Sequence, residues 1–285
     1  MALHVPGNCY NARMSREMET ANFPCRLCAG TDLRLYHTMG NDGEYRHYQC
    51  SNCKLVNYDL STGLGQEQFV VLDKDPTDDN DKWNKDKDQS FEFISEYLPT
   101  PGSMLDIGCG SGRLLYVARR AGWEVMGLEL SGEMAELVRD KLGIQVVVED
   151  FLEADPRAVS EGLFDLVCLR HVLEHLPDCN LAMSKLRELL QPGGHALIEI
   201  PNVESLAKNV KRFLTNIGLR RAKYPVDIVI GHANEFCKSS FEYLLKETGF
   251  TLVRWETYSK QPVVNYLYNR LHVGNKARAL IRRAP

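Results

Sequence analysis

Short apolar runs alternate with amphipathic stretches along the chain from residue 82 onward. Short apolar runs are typical of buried strands, and apolar residues three and four apart are typical of helices. The runs predict strands at 104–106, 124–130, 145–148, 164–169, 195–200 and 251–257. Helices are predicted at 82–97, from the loop after the first strand to about 121, and at 131–142. Two further helices are predicted, one that runs through 190 and one that ends at 249. Strands that alternate with helices predict an α/β fold with a doubly wound, mostly parallel sheet.

The segments outside this alternation divide the rest of the chain. Residues 1–22 lack periodicity and predict a mobile tail, while 23–60 predict a small module with two short strands and a turn at 41–43. Residues 61–81 indicate a solvated, charge-rich linker before the large domain, 82–261. Within that domain 202–231 is a basic insertion. The basic segment 262–285 predicts either a solvated terminal helix or a surface for an anionic lipid or phosphorylated substrate.

Composition limits the class of protein. The 285 residues, 44% hydrophobic and 25% charged, suffice for one α/β domain and a small module. We find no run of about 18 apolar residues and no basic stretch followed by an apolar one at the N-terminus. We therefore expect no transmembrane segment and no signal peptide, and we expect a cytoplasmic location. The formal net charge of -4 argues against nucleic acid as the partner of the whole chain.

Four of the nine cysteines form two Cys-x-x-Cys pairs. Cys25 and Cys28 are the first pair, and Cys50 and Cys53 follow about 20 residues later, a spacing typical of a structural zinc site. Disulfides would need an oxidising compartment, and a redox pair would open a helix. The pattern therefore predicts a zinc ribbon at 23–60. Metal binding should supply much of its folding free energy, because so short a segment buries little apolar area.

A glycine-rich loop follows the first strand of the large domain, with Gly108, Gly110 and Gly112. Such a loop between a strand and a helix is typical of a nucleotide-binding corner, where a ligand approaches the backbone closely. The dinucleotide fingerprint Gly-x-Gly-x-x-Gly does not match, because its sixth place is Arg113. Asp106 at the strand end would repel a pyrophosphate and attract a cation. The loop therefore favours a positively charged cofactor over NAD.

The stretch 104–115 resembles the first motif of class I S-adenosylmethionine-dependent methyltransferases, and the resemblance covers roughly 82–260. Within it, Leu-Glu-His-Leu-Pro at 173–177 is similar to the motif after the fourth strand in small-molecule methyltransferases, including those of ubiquinone biosynthesis and many sugar-modifying enzymes. The resemblance implies a Rossmann-like sheet of seven strands. It also implies S-adenosylmethionine as the cofactor, whose ammonium and sulfonium groups suit Asp106.

Acidic residues at two strand ends are candidates for cofactor contacts. Glu129 ends the second strand, where a nucleotide fold places an acid for the ribose hydroxyls; an exposed strand-end charge is the alternative. The resemblance implies that Asp150, or the adjacent Glu149, faces the adenine amino group. It further implies that several loop and strand-end neighbours lie beside the cofactor, namely Cys109, Leu130, Phe151 and Arg170.

A histidine-rich group after the fourth strand is the candidate catalytic site. Methylation of a hydroxyl needs a base, and His171, Glu174 and His175 are spaced to share one face of a helical turn, with His232 downstream. His175 is the predicted base. The four residues also resemble the Glu-x-x-Glu-His and distant His that bind a divalent metal in small-RNA 2′-O-methyltransferases, with His171 replacing the first Glu. A second divalent metal on His171, His175 and His232 is therefore one alternative, and structural histidines are another.

These features together predict transfer of a methyl group from S-adenosylmethionine to a small molecule or a carbohydrate such as a glycan precursor. The methylated atom is an oxygen, a nitrogen or a carbon. We expect the insertion 202–231 to form part of the acceptor pocket. The alternatives are methylation of RNA and a zinc-ribbon module that binds S-adenosylmethionine without catalysis.

Overall fold

The computed structural model describes residues 19–39, 45–63, 75–160, 162–216, 219, 231–259 and 262–284. Most of the predicted tail, the predicted turn at 41–43 and much of the second half of the insertion 202–231 lie outside these ranges. Within them, no helix is both long and apolar enough to cross a bilayer.

The N-terminal module is a small antiparallel sheet that carries the two cysteine pairs. Its strands are β1 (Leu33–Met39), β2 (Tyr45–Cys50) and β3 (Val56–Tyr58), followed by a 3-10 turn at Leu60–Thr62. Both strands expected between the cysteine pairs therefore form. The third strand follows the second pair, and the apolar residues Leu33 and Leu55 are fully buried.

A sheet of seven strands forms the centre of the large domain. Five parallel strands come first in the chain: β4 (Ser103–Ile107), β5 (Glu124–Glu129), β6 (Val146–Val148), β7 (Phe164–Arg170) and β8 (Leu190–Pro201). A short strand, β9 (Asn234–Glu235), precedes β10 (Phe250–Tyr258) and β11 (Lys276–Arg283). The order across the sheet is β10-β11-β8-β7-β4-β5-β6. The predicted doubly wound, mostly parallel sheet is confirmed.

The helices cover the sheet and connect its strands. They are α1 (Lys82–Tyr97), α2 (Arg113–Arg120), α3 (Gly132–Leu142), α4 (Pro156–Val159), α5 (Cys179–Leu189), α6 (Leu206–Asn216), α7 (Lys238–Thr248) and α8 (Pro262–Leu271). Local signals fix several ends. The Ser131 hydroxyl accepts a hydrogen bond from the Met134 amide at the start of α3, and Gly249, in the left-handed region with φ of 76°, ends α7.

The C-terminal segment corrects one expectation. We expected a solvated helix or charged surface beyond residue 262, but α8 is followed by β11, which lies between β10 and β8 and pairs antiparallel with both. Ala277, Ala279 and Ile281 of this strand are fully buried. Residues 276–283 therefore complete the sheet of the large domain. This is the seventh strand, whose position the apolar pattern did not show.

The ribbon and the large domain share a sheet edge and a hydrophobic core. Strand β9 from the large domain pairs with β3, so that Val56 lies opposite Glu235. Leu27, Leu33 and Leu55 of the ribbon belong to the same buried cluster as Ile107 and Leu169 of the central sheet. The ribbon is therefore built into the large domain through backbone pairing and apolar contacts.

A buried charge network joins β7, β8 and β11. Glu199 on β8 is fully buried and lies opposite Arg278 in the register of β8 with β11. Its carboxylate accepts hydrogen bonds from Arg278 and Arg170, and from the hydroxyl of Ser90 on α1 at 2.9 Å. Burial alone would raise the pKa of Glu199, but Arg170 and Arg278 lower it to about 2. The network ties α1 to the sheet.

We expect Arg278→Leu to destabilise the fold by about 3–5 kcal/mol, because it leaves part of a buried charge without its partner. Urea unfolding at neutral pH measures this loss. The matched control is Arg254→Ala on β10, whose guanidinium is 45% exposed and pairs with Glu256, and which should change the stability by less than about 1 kcal/mol. Equal effects of the two substitutions would contradict a stabilising role for the buried pair.

The stability of the fold should also depend on pH. Because the pKa of Glu199 is depressed on folding, the contribution of Glu199 to stability should be present above about pH 4.5 and disappear as the pH falls toward 2.

Candidate functional site

The glycine-rich loop lies between β4 and α2. Gly108 has a φ of 68°, and a Cβ there would stand 2.5 Å from a methyl group of Val172 in the loop after β7. Gly110 also lies in the left-handed region, but nothing within 4 Å would meet its Cβ. Gly112 starts α2 with a φ of 77°. The loop therefore contacts the β7 loop on one side and leaves open space at Gly110, where a ligand can approach the backbone.

Asp106 is the charged residue closest to this loop along β4. It is 3% exposed, and its Oδ1 has no hydrogen-bond partner among the described residues. Burial raises its pKa to about 7; Arg170 opposes that shift, while Glu129 and Glu199 reinforce it. A buried carboxylate that lacks a full set of partners is stabilised by a nearby cation. The site therefore fits a positively charged ligand, as the sequence predicts.

Glu129 lies at the end of β5 against the same loop. Its Oε2 accepts a hydrogen bond from the Gly110 amide at 2.8 Å, and its Oε1 accepts one from the Ser131 amide at 3.1 Å. Each carboxylate oxygen has a second lone pair for a further donor. The structure thus brings Glu129 to the glycine loop, and the contact with ribose hydroxyls stays a prediction.

The other predicted cofactor residues differ in exposure. Leu130 is 57% exposed beside Glu129, whereas Cys109 and Phe151 are buried. Asp150 is exposed, and its Oδ1 accepts a hydrogen bond from the Leu152 amide at 2.8 Å. Arg170, in contrast, is engaged by the buried network described above, in which its Nε donates to Glu199 at 2.8 Å. The side chain of Arg170 is therefore held by protein carboxylates.

The histidine-rich segment after β7 forms a short 3-10 helix at Leu173–His175. His171 stands outside that turn with a φ of 56°, in the left-handed region that a residue with a side chain seldom adopts. Its Nδ1 lies 3.3 Å from Oε1 of Glu174, which is only 1% exposed. The expected helical turn therefore forms, but it begins at Leu173. A turn that places His171, Glu174 and His175 on one face would have to begin two residues earlier, at His171.

His175 and His232 meet across two segments of the chain. The Nδ1 of His175 lies 2.6 Å from the carbonyl oxygen of Gly231, and the two imidazole rings are 4.9 Å apart at 73°. Because a carbonyl oxygen only accepts, Nδ1 carries the proton, and Nε2 is the basic nitrogen of the neutral ring. Burial lowers the pKa of His232, while Glu174 raises it and His175 lowers it.

One predicted metal set is corrected by this geometry. Potential ligand atoms of Glu174, His175 and His232 all lie within 4.8 Å of one another, and His171 is not part of that group. The left-handed backbone of His171 turns it out of the helical register that the sequence spacing assumed. A divalent metal at this place would therefore use one carboxylate and two imidazoles.

Residues 81–254 match the family described as a methyltransferase domain. The chain belongs to this methyltransferase family. The ubiquinone biosynthesis O-methyltransferase of Ralstonia nicotianae is 28% identical over 152 residues, which are 52% of this chain and 61% of that protein. The same enzyme of Xylella fastidiosa is 32% identical over 121 residues, 39% of this chain and 47% of its own. The chain thus spans about two fifths to three fifths of the length of the curated relatives that it matches.

Solved structures with the same fold are more distant in sequence. The PH0226 protein of Pyrococcus horikoshii OT3 has a TM-score of 0.53 at 18% identity, and covers 73% of this methyltransferase-family chain and 94% of its own. Magnesium protoporphyrin IX methyltransferase of Synechocystis PCC 6803, crystallised with bound S-adenosylhomocysteine, has a TM-score of 0.51 at 16% identity, with 71% and 84% covered. These similarities show the Rossmann-like methyltransferase fold.

The four ribbon cysteines converge on one point. The sulfurs of Cys25 and Cys53 are 3.5 Å apart, as are those of Cys28 and Cys50, and all four lie within 4.8 Å of one another. A disulfide would need about 2.0 Å, whereas thiolates about 2.3 Å from a tetrahedral zinc are separated by about 3.8 Å. The sulfur positions therefore fit a four-coordinate zinc and do not fit disulfides.

Both cysteine pairs use the same local backbone. The Ala29 amide donates to the Cys25 carbonyl at 2.8 Å, and the Lys54 amide donates to the Cys50 carbonyl at 3.1 Å. Ala29 and Lys54 both lie in the left-handed region, with φ of 55° and 66°. No glycine marks these positions, so the sequence did not predict the conformation.

Sequence reasoning missed the role of Arg113, which it treated only as a departure from the dinucleotide fingerprint. This side chain is 3% exposed and forms two hydrogen bonds with Asp88 of α1, at 2.7 and 2.8 Å. It also donates to the Pro76 carbonyl and to Asp79, both in the segment expected to be a solvated linker. Arg113 therefore fixes the N-terminal part of α1 against the helix that starts at the glycine loop. The excess of Asp in that segment was the signal for a buried arginine partner.

Proposed function

We propose that the protein transfers a methyl group from S-adenosylmethionine to a hydroxyl of a small-molecule acceptor. One observation carries the proposal: the carboxylate of Asp106 at the glycine loop is buried and only partly hydrogen-bonded. The glycine loop itself contacts Val172, in the segment that holds His171, Glu174 and His175. The names of the curated relatives support an oxygen acceptor. Within the small-molecule acceptors, we propose a carbohydrate as the more specific class.

The cofactor residues have separate tasks in this proposal. Bound S-adenosylmethionine would supply a methyl group on a cationic sulfur, which needs no further activation. Asp106 attracts the positive charge, and the loop at Gly108, Gly110 and Gly112 lets the ligand approach the backbone. Glu129 accepts from the ribose hydroxyls. Other contacts are proposed for Cys109, Leu130, Asp150, Phe151 and Arg170.

His175 is the proposed general base. Its Nδ1–H is held by the Gly231 carbonyl, so its Nε2 can accept the proton of the acceptor hydroxyl as the new carbon–oxygen bond forms. Glu174, buried and aligned by His171, stabilises the imidazolium that results. His232 lies against the same ring and positions it.

A second version of the mechanism has one specific observation in its favour. Glu174, His175 and His232 could hold a divalent metal, which would lower the pKa of an acceptor hydroxyl in place of a base. Activity measured after chelation, in protein that retains its ribbon zinc, separates the versions. Full activity supports the base, and activity restored only by a divalent ion supports the metal.

We further propose that Cys25, Cys28, Cys50 and Cys53 bind one structural zinc ion. Four protein ligands leave no open position, which excludes a catalytic role for this metal. The function of this zinc ion is to hold the strands of the ribbon together and to keep in place the face of the ribbon that packs against the large domain.

The pH dependence of cofactor binding tests the role of Asp106. Its pKa is about 7 in the free protein, and a cationic ligand favours the ionised form, so affinity should increase between about pH 6 and pH 8 with release of a proton. Asp106→Asn should weaken binding and abolish this dependence. Calorimetry in two buffers of different ionisation enthalpy measures both effects. An affinity that is insensitive to pH and to Asp106→Asn would remove Asp106 from the cofactor site.

Release of S-adenosylhomocysteine tests the reaction itself. The acceptors to compare are a catechol, a neutral glycoside, a short RNA and no acceptor. Release with the catechol or the glycoside supports the proposal, and release only with RNA would replace it. Binding of S-adenosylmethionine without release for any acceptor would support a module that senses the ligand.

A further inference from the structure

A row of aromatic side chains crosses the ribbon sheet. His47 on β2 lies opposite both His37 on β1 and Tyr58 on β3, so the three share one face of the sheet. The imidazole rings of His37 and His47 stack at 4.2 Å and 14°, and the Tyr58 ring is 5.0 Å from that of His47. His47 is 2% exposed, and its Nδ1 has no hydrogen-bond partner within the part of the chain that the structure describes.

Glu235 extends this row into the large domain. It pairs with Val56, two residues before Tyr58 on β3, and therefore shares the face of Tyr58 and His47. Its Oε1 accepts from Lys208 at 3.1 Å, but Oε2 is buried and has no partner among the described residues. We name the four residues His37, His47, Tyr58 and Glu235 the ribbon face.

The ribbon face is continuous with the proposed catalytic group. The segment 231–235 begins at the carbonyl that holds His175, and the Ala233 carbonyl accepts a hydrogen bond from the Tyr58 amide at 3.0 Å. His232 lies between the two groups: Glu174 and Glu235 both act to raise its pKa, against the lowering by burial. Glu174, like Glu235, has a buried carboxylate oxygen without a partner in the described ranges.

The unpartnered atoms define a ligand chemistry. A carboxylate oxygen only accepts hydrogen bonds, and the neutral imidazole of His47 can donate or accept, so the complementary group is a hydroxyl, which does both. Burial opposes ionisation of Glu235, but the positive charge of Lys208 beside it contributes to a pKa of about 2. The ionised carboxylate of Glu235 would repel a phosphate, and the Lys208 ammonium is already paired with it. The stacked imidazole rings of His37 and His47 lie beside these groups.

We propose that the ribbon face is a wall of the acceptor site and binds the hydroxyl groups of a neutral, hydroxyl-rich ring such as a sugar. This inference rests on the proposed function and adds the residues that recognise the hydroxyl groups of the acceptor. In this arrangement the ribbon contributes directly to acceptor recognition. His47 and Glu235 bind hydroxyl groups that are remote from the one that His175 deprotonates.

Ligand-observed NMR with the full chain saturated with S-adenosylhomocysteine tests the inference. The probes are methyl β-glucoside, which is neutral, and glucose 1-phosphate, which shares the hydroxyls but carries an anion. We expect the glucoside to bind, and His47→Phe and Glu235→Gln each to weaken it about tenfold, the size expected for one lost hydrogen bond to a buried group. The control is Arg46→Ala, which changes the neighbouring, 49% exposed residue and should have no effect.

Three outcomes would overturn the inference while leaving methyl transfer intact. The glucoside fails to bind although S-adenosylhomocysteine binds; the glucoside binds equally to His47→Phe, Glu235→Gln and unmodified protein; or glucose 1-phosphate binds and inorganic phosphate displaces it. Failure of the proposed function is distinct, because the unmodified protein would then release no S-adenosylhomocysteine with any acceptor, or would not bind S-adenosylhomocysteine. Its affinity should be the same in all three variants, which also shows that each variant is folded.

Discussion

Replacement of His175 by Asn should lower the turnover number by about 10² to 10⁴ and leave the affinity for S-adenosylmethionine nearly unchanged. An asparagine amide can still donate to the Gly231 carbonyl, but it cannot take a proton from an acceptor. The substitution therefore removes proton transfer while keeping the hydrogen bond that orders residue 231. Steady-state kinetics with the acceptor found by S-adenosylhomocysteine release, together with calorimetry for the cofactor, measures both quantities.

The control for this experiment is His195→Asn. His195 is a half-buried histidine on β8, opposite Arg282 of β11, and has no place in the proposed site. Its replacement should leave turnover within about twofold, as expected for a side chain outside the reaction. If His175→Asn also leaves turnover unchanged, the base is another residue. If it removes cofactor binding or folding, the role of His175 is structural.

Removal of the zinc site should have the largest effect on stability. We expect Cys25→Ser with Cys28→Ser to reduce the zinc content from one per chain to none and to unfold the ribbon. Apparent zinc-binding free energies in zinc-finger peptides are about 10–16 kcal/mol, which exceeds what so small a module gains from its own core. Elemental analysis measures the zinc, and thermal unfolding followed by calorimetry measures the stability.

The consequence should extend beyond the ribbon, because β3 pairs with β9 and ribbon residues share a buried cluster with the central sheet. Acceptor binding should therefore be lost, whereas the glycine loop should still bind S-adenosylmethionine. The matched control, Arg34→Ala, changes an exposed ribbon residue paired with Asp32 and should retain one zinc. Zinc that persists after loss of Cys25 and Cys28 would place the metal on Glu174, His175 and His232 instead.

The sequence determined the features whose causes lie close together in the chain. The glycine loop, the two Cys-x-x-Cys pairs, the helix at Lys82–Tyr97 and the Ser131 cap each depend on a few neighbouring residues. Periodicity and turn chemistry act over that range, which is why they predicted the alternating strands and helices of the central sheet. The family resemblance added the cofactor and the expected cofactor contacts, which no local pattern supplies; the roles of those residues stay predictions.

Tertiary structure decided the features that depend on distant partners. Segment 276–283 has the charge pattern of a solvated surface, yet it is an inner strand because Arg278 lies opposite Glu199 and the burial of one charge is offset by the other. The ribbon face exists only because β9 pairs with β3, which brings Glu235 beside His47. His171 left the expected helical face because its backbone adopts a left-handed conformation. Strand pairing and compensation of buried charge join residues far apart in the chain, and a local pattern carries no information about them.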